Sequence, residues 1–65
     1  MPLFTFYPCR PDGSSSAFET FECPGDDEAL VRARRVLADH QSAVEVVIWQ
    51  GDRQVGALSR VTDAA

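Results

Sequence analysis

The sequence predicts a small α+β domain of order β-β-α-β-β, in which one helix packs on one face of an antiparallel or mixed four-stranded sheet. Three observations lead to this fold class. A central segment has the apolar spacing of an amphipathic helix and begins with acidic residues. On each side of it, two β-prone segments are separated by a turn sequence. The 65 residues, finally, are enough for a single domain over 1–65.

The first hairpin is predicted from residues 3–8 and 17–23. Aromatic side chains favour a strand over 3–8, and Pro8, which lacks a backbone N–H, ends that strand or places it at an edge. The sequence Pro11-Asp12-Gly13 is typical of a turn because proline presets φ and glycine accepts positive φ. The second strand alternates, and either of two pairs can face the core: Phe21 with Cys23, or Phe18 with Thr20.

The helix is predicted over residues 27–40, with Asp26 or Gly25 as its N-cap. Acidic side chains in the first turn interact favourably with the helix dipole. Apolar residues recur at the spacing of one helix face: Ala29, Leu30, Ala33, Val36 and Leu37. On the opposite face, two oppositely charged i,i+4 pairs are expected: Glu28 with Arg32, and Arg35 with Asp39.

The second hairpin is predicted from residues 44–50 and 53–60, joined by the two-residue turn Gly51-Asp52. If this turn is the whole loop, the register follows: Gln50 opposite Arg53, Ile48 opposite Val55, and Val46 opposite Ala57. One face is then a core face: Val44, Val46, Ile48, Val55 and Ala57. Strand order stays open because either hairpin can be central, and residues 62–65 are expected to fray.

The other face of this hairpin carries the candidate interface residues: Val47, Trp49, Gly56 and Leu58. Two or three aromatic residues of the first hairpin are expected to extend the same face. One helix covers only one face of a sheet, so the second face must be polar or be covered by a partner. Apolar patches centred on tryptophan are typical of interface cores, whereas isolated exposed apolar residues are ordinary. The pattern favours a homodimer formed through this face or an edge strand. A different protein partner or a small apolar ligand are the remaining alternatives.

The net charge and the length of the chain limit the kinds of molecule that it is expected to bind. Ten acidic and six basic residues give a net charge of −4, which disfavours nucleic acid because phosphate binding needs a basic surface. No stretch approaches the ~18 apolar residues of a membrane span, and a cytoplasmic location is expected. So small a core usually needs a disulfide, a metal or a partner subunit. Cys9 and Cys23 are expected to lie too far apart on the first hairpin to form a disulfide, so self-association is favoured.

No residue set predicts catalysis, and neither a cofactor nor a metal site is expected. His40 follows Asp39, but adjacent helical side chains point about 100° apart and do not form a catalytic pair. A position near the helix C-terminus explains the histidine. Cys9 beside Arg10 is weak ground for a reactive thiol. The leading hypothesis is a non-enzymatic interaction module. The alternative is a small regulatory or antitoxin-like protein that binds a basic partner through its acidic surface.

Residues 22–30 and residues 44–56, which contain Trp49-Gln50-Gly51, resemble a group of short uncharacterised bacterial proteins. In that group the first stretch corresponds to a strand-to-helix junction and the second to a Trp-Gln-Gly hairpin. The resemblance implies the same topology and supplies no activity. It also directs attention to the shared hairpin residues: Trp49, Gln50, Gly51 and Arg53.

Overall fold

The computed structural model describes residues 1–15 and 17–59 and confirms the predicted fold class. Its elements are β1 (Leu3–Cys9), β2 (Glu19–Glu22), α1 (Asp26–Asp39), β3 (Glu45–Gln50) and β4 (Arg53–Ser59). The four strands form one antiparallel sheet in the order β2-β1-β3-β4, so β1 and β3 are central. The prediction that Pro8 ends its strand or places it at an edge is wrong, because β1 is central and continues to Cys9; β2 pairs only with its first four residues, so the missing N–H of Pro8 lies beyond that pairing. The expected tail at 62–65 and the last predicted strand residue, at position 60, lie outside the described residues.

The helix begins after Gly25, which is the N-cap in an extended conformation. Of the two proposed caps, Asp26 is therefore wrong, and no side chain caps the helix. The Arg35–Asp39 pair is confirmed, with Nε and Oδ2 3.9 Å apart. Glu28 and Arg32 do not form the expected ion pair. The Arg32 guanidinium lies instead over a ring of β2, that of Phe21, 4.4 Å from its centroid.

The core lies between α1 and the two central strands. Its buried side chains include Phe4, Phe6, Ala29, Ala33, Val36, Leu37, Val46 and Ile48. The Phe21 ring contacts Phe6 edge to face, with centroids 5.7 Å apart, and Cys23 is buried beside them. This resolves the face of the first hairpin: Phe21 and Cys23 point to the core, and Phe18 and Thr20 point away from it.

The second hairpin contains a β-bulge that the sequence register did not include. Gln50 pairs with Arg53 as predicted, and Val55 is then an extra residue on β4. Beyond the bulge the pairs are shifted by one: Ile48 with Gly56, Val47 with Ala57, and Val46 with Leu58. Because side chains alternate along a strand, every β4 residue after Val55 faces the side opposite to the predicted one.

This shift corrects the predicted core. Ala57 is exposed on the face away from α1, and Leu58 packs partly against the core in its place. Val55 also packs against the core. Val44 precedes β3 and is exposed, so its predicted core position is wrong. Leu30, expected on the apolar helix face, lies at its margin and is 40% exposed.

Two glycines of this hairpin should respond differently to alanine. Gly51 lies in the turn with φ +63°, where an L-residue costs about 1–2 kcal/mol, so Gly51→Ala should lower the free energy of unfolding by that amount. Gly56 has no positive φ, and a Cβ there meets no atom within 4 Å. Gly56→Ala should therefore raise stability by about 0.5–1 kcal/mol. Urea unfolding measures both, and equal losses would contradict the turn and bulge assignments.

Candidate functional site

The sheet face turned away from α1, here called the open face, is built mainly by β1 and β3. Directly opposed residues of antiparallel strands share a face, so the register defines rows of neighbours across it. The first row is Tyr7, Val47 and Ala57, and the second is Thr5, Trp49 and Gln54. Tyr7, Val47 and Trp49 are half-buried by their neighbours. The centre of the open face is therefore aromatic and aliphatic.

A shallow depression of about 520 Å³ follows this centre along the strands. Tyr7, Val47 and Trp49 line it, and it extends from Ser15 in the β1–β2 loop to the turn at Gly51. Beside it, the Phe18 ring lies 5.8 Å from that of Tyr7, centroid to centroid, and Phe18 is 62% exposed. Phe18, the residue before β2, thus extends the aromatic surface from β1 to the β2 side of the open face.

The β1–β2 loop, which borders the depression, is held by Asp12. Its Oδ1 accepts hydrogen bonds from the Ser14 backbone N (2.9 Å) and from the Ser14 Oγ (2.7 Å), and these bonds lower the pKa of Asp12. Gly13 takes φ +86° at the tightest point of the loop. Ser15 then donates from its Oγ to the Ala17 carbonyl at 2.9 Å. These local bonds place Ser15 at the rim of the depression.

Two of the four sequence-predicted interface residues lie on the open face. Val47 and Trp49 are at its centre. The placement of Gly56 and Leu58 on this face is wrong, because the bulge at Val55 turns both towards α1. Gly56 accordingly pairs with buried Ile48 rather than lying across from Val47.

Tyr7, Cys9 and Phe18 also lie on the open face. The sequence interpretation expected aromatic residues of the first hairpin there without naming them, and it left the face of Phe18 open. The alternation of β1 contains a usable signal, since Tyr7 and Cys9 are out of phase with buried Phe4 and Phe6. It was not decisive because both sides of β1 carry aromatic residues. Only the long-range pairing of β1 with β3 identifies Tyr7 as a neighbour of Val47.

Carboxylate side chains lie at the margins of the open face. Glu22 pairs with Leu3 at the β2 edge, Glu45 pairs with Cys9, and Asp52 lines the depression at the turn. Among the described residues that line the depression, none is basic. The acidic rim repels phosphate groups. The apolar centre favours contact with another apolar surface.

The two thiols lie on opposite sides of the sheet and are free, as expected. Cys9 is half-buried on the open face, and its Sγ donates to the Tyr7 carbonyl at 3.4 Å. Cys23 is buried on the α1 side, where burial raises the pKa of its thiol. A thiol that stays protonated is a poor nucleophile, which makes Cys23 unreactive. Cys9 is the less buried of the two thiols.

The hairpin residues Gln50 and Arg53 connect the β3–β4 turn to the helix. The Arg53 guanidinium donates to Gln50 Oε1 and also to Asp26 Oδ1, at 3.3 Å. Both partners of the Asp26–Arg53 pair are about half exposed. Because solvent screens such a pair, it contributes between a few tenths of a kcal/mol and about 1 kcal/mol to stability. The contact also shows which side of α1 lies beside β4, namely the side that carries Asp26.

His40 connects the C-terminal end of α1 to β2. Its Nε2 lies 3.3 Å from Glu19 Oε2, and its Nδ1 lies 2.8 Å from the Val36 carbonyl oxygen. Glu19 pairs with buried Phe6, so this contact is on the α1 side of the sheet, away from the open face. One partner of His40 is therefore a glutamate on β2 that is distant in the sequence, rather than the adjacent Asp39.

Two further observations concern metals and membranes. Within 1–15 and 17–59, no group of three or more His, Cys, Asp or Glu side chains is placed to hold a metal ion. The helix of the described chain is too short and too polar to cross a bilayer.

Comparisons with known proteins add no assignment. No family model, no curated protein and no solved structure matches this chain. The resemblance to short bacterial proteins with a Trp-Gln-Gly hairpin stays a prediction.

Proposed function

We propose that the protein is a non-enzymatic interaction module that forms a homodimer through its open face. The observation that carries this proposal is the apolar cluster of Tyr7, Val47 and Trp49, which spans two neighbouring rows of the face that α1 leaves uncovered. Phe18 adds an exposed ring beside this cluster. Aromatic residues at the centre of a patch with polar groups at its rim are typical of protein interfaces.

The size of the face fits a small dimer. A strand spacing of about 4.8 Å and a rise of about 3.3 Å per residue give roughly 400 Å² in projection for four strands of up to seven residues. The smallest specific interfaces bury about 600 Å² of accessible surface on each partner, so the dimer has to bury essentially the whole open face. Two sheets packed in this way lie about 10 Å apart, as in a β-sandwich. Such a dimer also supplements the small core of a 65-residue chain.

The test is the molecular mass in solution over a range of micromolar concentrations, at about 50 mM and about 500 mM salt. We expect a mass above the 7.1 kDa of one chain, and association that is as strong or stronger at high salt. The reason is that two chains of net charge −4 repel each other, and salt screens this repulsion.

The alternative, binding of a basic partner through the acidic surface, predicts the opposite salt response. A chain that stays at 7.1 kDa but binds polylysine, and loses that binding at high salt, would favour the alternative and reject the homodimer.

A further inference from the structure

β2 is the shortest strand of the sheet and lies at its edge, where it pairs with β1 through four residues. Strands with few buried contacts and solvent-exposed hydrogen bonds open more easily than central strands. Glu19 is the first residue of β2 and directly follows Phe18 in the chain. The Phe18 ring lies 5.8 Å from that of Tyr7, centroid to centroid, on the open face. A contact that holds the start of β2 therefore also positions Phe18.

The side chain of His40 holds the start of β2 from the C-terminal end of α1. Its Nδ1 lies 2.8 Å from the Val36 carbonyl oxygen, and its Nε2 lies 3.3 Å from Glu19 Oε2. Both ring nitrogens thus face hydrogen-bond acceptors. A neutral imidazole donates from one nitrogen only, whereas an imidazolium ion donates from both. The protonated ring is therefore the form that satisfies both contacts.

The other charged groups at this end of α1 do not oppose the protonated ring. His40 is the C-cap residue, and a helix C-terminus carries a partial negative charge that favours a cation. The preceding residue, Asp39, pairs with Arg35 at 3.9 Å. The loop that follows, residues 41–44, contains no charged side chain. The carboxylate that faces His40 from the sheet is that of Glu19.

We infer that the His40–Glu19 pair is a pH-sensitive latch, which fixes the start of β2 while His40 is protonated and releases it when His40 loses its proton. Histidine side chains ordinarily change charge between about pH 5 and about pH 8, and glutamate is ordinarily ionised throughout this range. The stabilisation is therefore present at the acidic end of the range and lost as the pH rises. Because Phe18 belongs to the open face, the latch also regulates the homodimer, and this second part rests on the function proposed above.

Hydrogen exchange of the Glu19 amide tests the latch directly. Cys23 N donates to Pro2 O at 3.0 Å, and alternation along the ladder makes the amides of Glu19 and Phe21 donors to β1. Phe21 lies two residues from the latch and is the internal control. Between about pH 5.5 and about pH 8, the protection factor of Glu19, corrected for intrinsic exchange, should fall about threefold, and that of Phe21 should not change.

The two glutamates of β2 provide matched variants. Glu19→Gln should abolish the pH dependence, because an amide can accept from the imidazolium ion or donate to the neutral ring. Glu22→Gln makes the same change in net charge at the other end of β2 and should retain the pH dependence. A Glu19 protection factor that is equal at both pH values, or a pH dependence that persists in Glu19→Gln, would overturn the latch.

The dissociation constant of the homodimer tests the regulatory part, at about 500 mM salt to screen the general repulsion between the chains. It should be higher at about pH 8 than at about pH 5.5, by up to about threefold, in the parent chain and in Glu22→Gln. In Glu19→Gln it should not change with pH. Equal responses of the two variants would reject the regulation of the open face. A chain that stays at 7.1 kDa at both pH values would reject the homodimer, while hydrogen exchange still decides the latch.

Discussion

Replacement of Phe6 by alanine is expected to lower the free energy of unfolding by about 3–5 kcal/mol. Phe6 is 0% exposed in the central strand β1, and its ring contacts Phe21 edge to face. Its removal leaves a cavity that neighbouring strands cannot fill. Small domains have stabilities near the low end of about 5–15 kcal/mol, so the variant should keep no more than about 2 kcal/mol of stability. Urea titration followed by circular dichroism measures the loss.

Thr5→Ala is the matched control for this prediction. Thr5 is adjacent to Phe6 on the same strand but faces the open side, so its removal should cost less than about 1 kcal/mol. Both variants must be compared at one protein concentration, because self-association adds to apparent stability. Equal losses for the two variants would mean that the assignment of the faces of β1 is wrong.

Replacement of Trp49 by serine is expected to weaken association by at least about 2 kcal/mol, or about 30-fold in the dissociation constant, and to retain the fold. Trp49 lies on the open face beside Thr5 and Gln54, and the core residues of β3 alternate with it. Sedimentation equilibrium should show a mass that falls from that of the dimer towards the 7.1 kDa of one chain, at a concentration that keeps the parent chain associated.

Val31→Ser is the control for general loss of surface hydrophobicity. Val31 is 67% exposed on α1, on the side of the sheet opposite to the open face, so the association constant should not change. An unchanged association constant for Trp49→Ser would contradict the proposed interface. Loss of the helical dichroism signal in that variant would also contradict it, because Trp49 would then determine the fold.

The helix was the most predictable element because local signals agree there. The acidic first turn and the repeat of Ala29, Ala33 and Val36 each indicate one helix in one orientation. At its start the cap and the Glu28–Arg32 pair were wrong, and the helix begins at Asp26, one residue before the predicted start. Asp26 is a common capping residue, but its carboxylate contacts Arg53, which is 27 positions away in the chain.

The open face was only half predictable, and two physical causes account for the rest. The pairing of β1 with β3 joins segments about 40 residues apart, and the alternation of one strand does not identify its distant neighbour, so Tyr7 was not named. The bulge was the second cause. Its one local indication is Gly56, since an isolated glycine within a strand is typical of a bulge, but glycine is equally compatible with a regular strand.

The bulge also affects how this chain is to be aligned with others. A homologous strand without the extra residue at Val55 would carry the opposite inside–outside pattern from that point to its end. A one-residue gap at this position therefore changes which substitutions are conservative: the position equivalent to Leu58 tolerates polar residues in one length class and requires apolar residues in the other. Sequence profiles of such hairpins should be built separately for the two lengths.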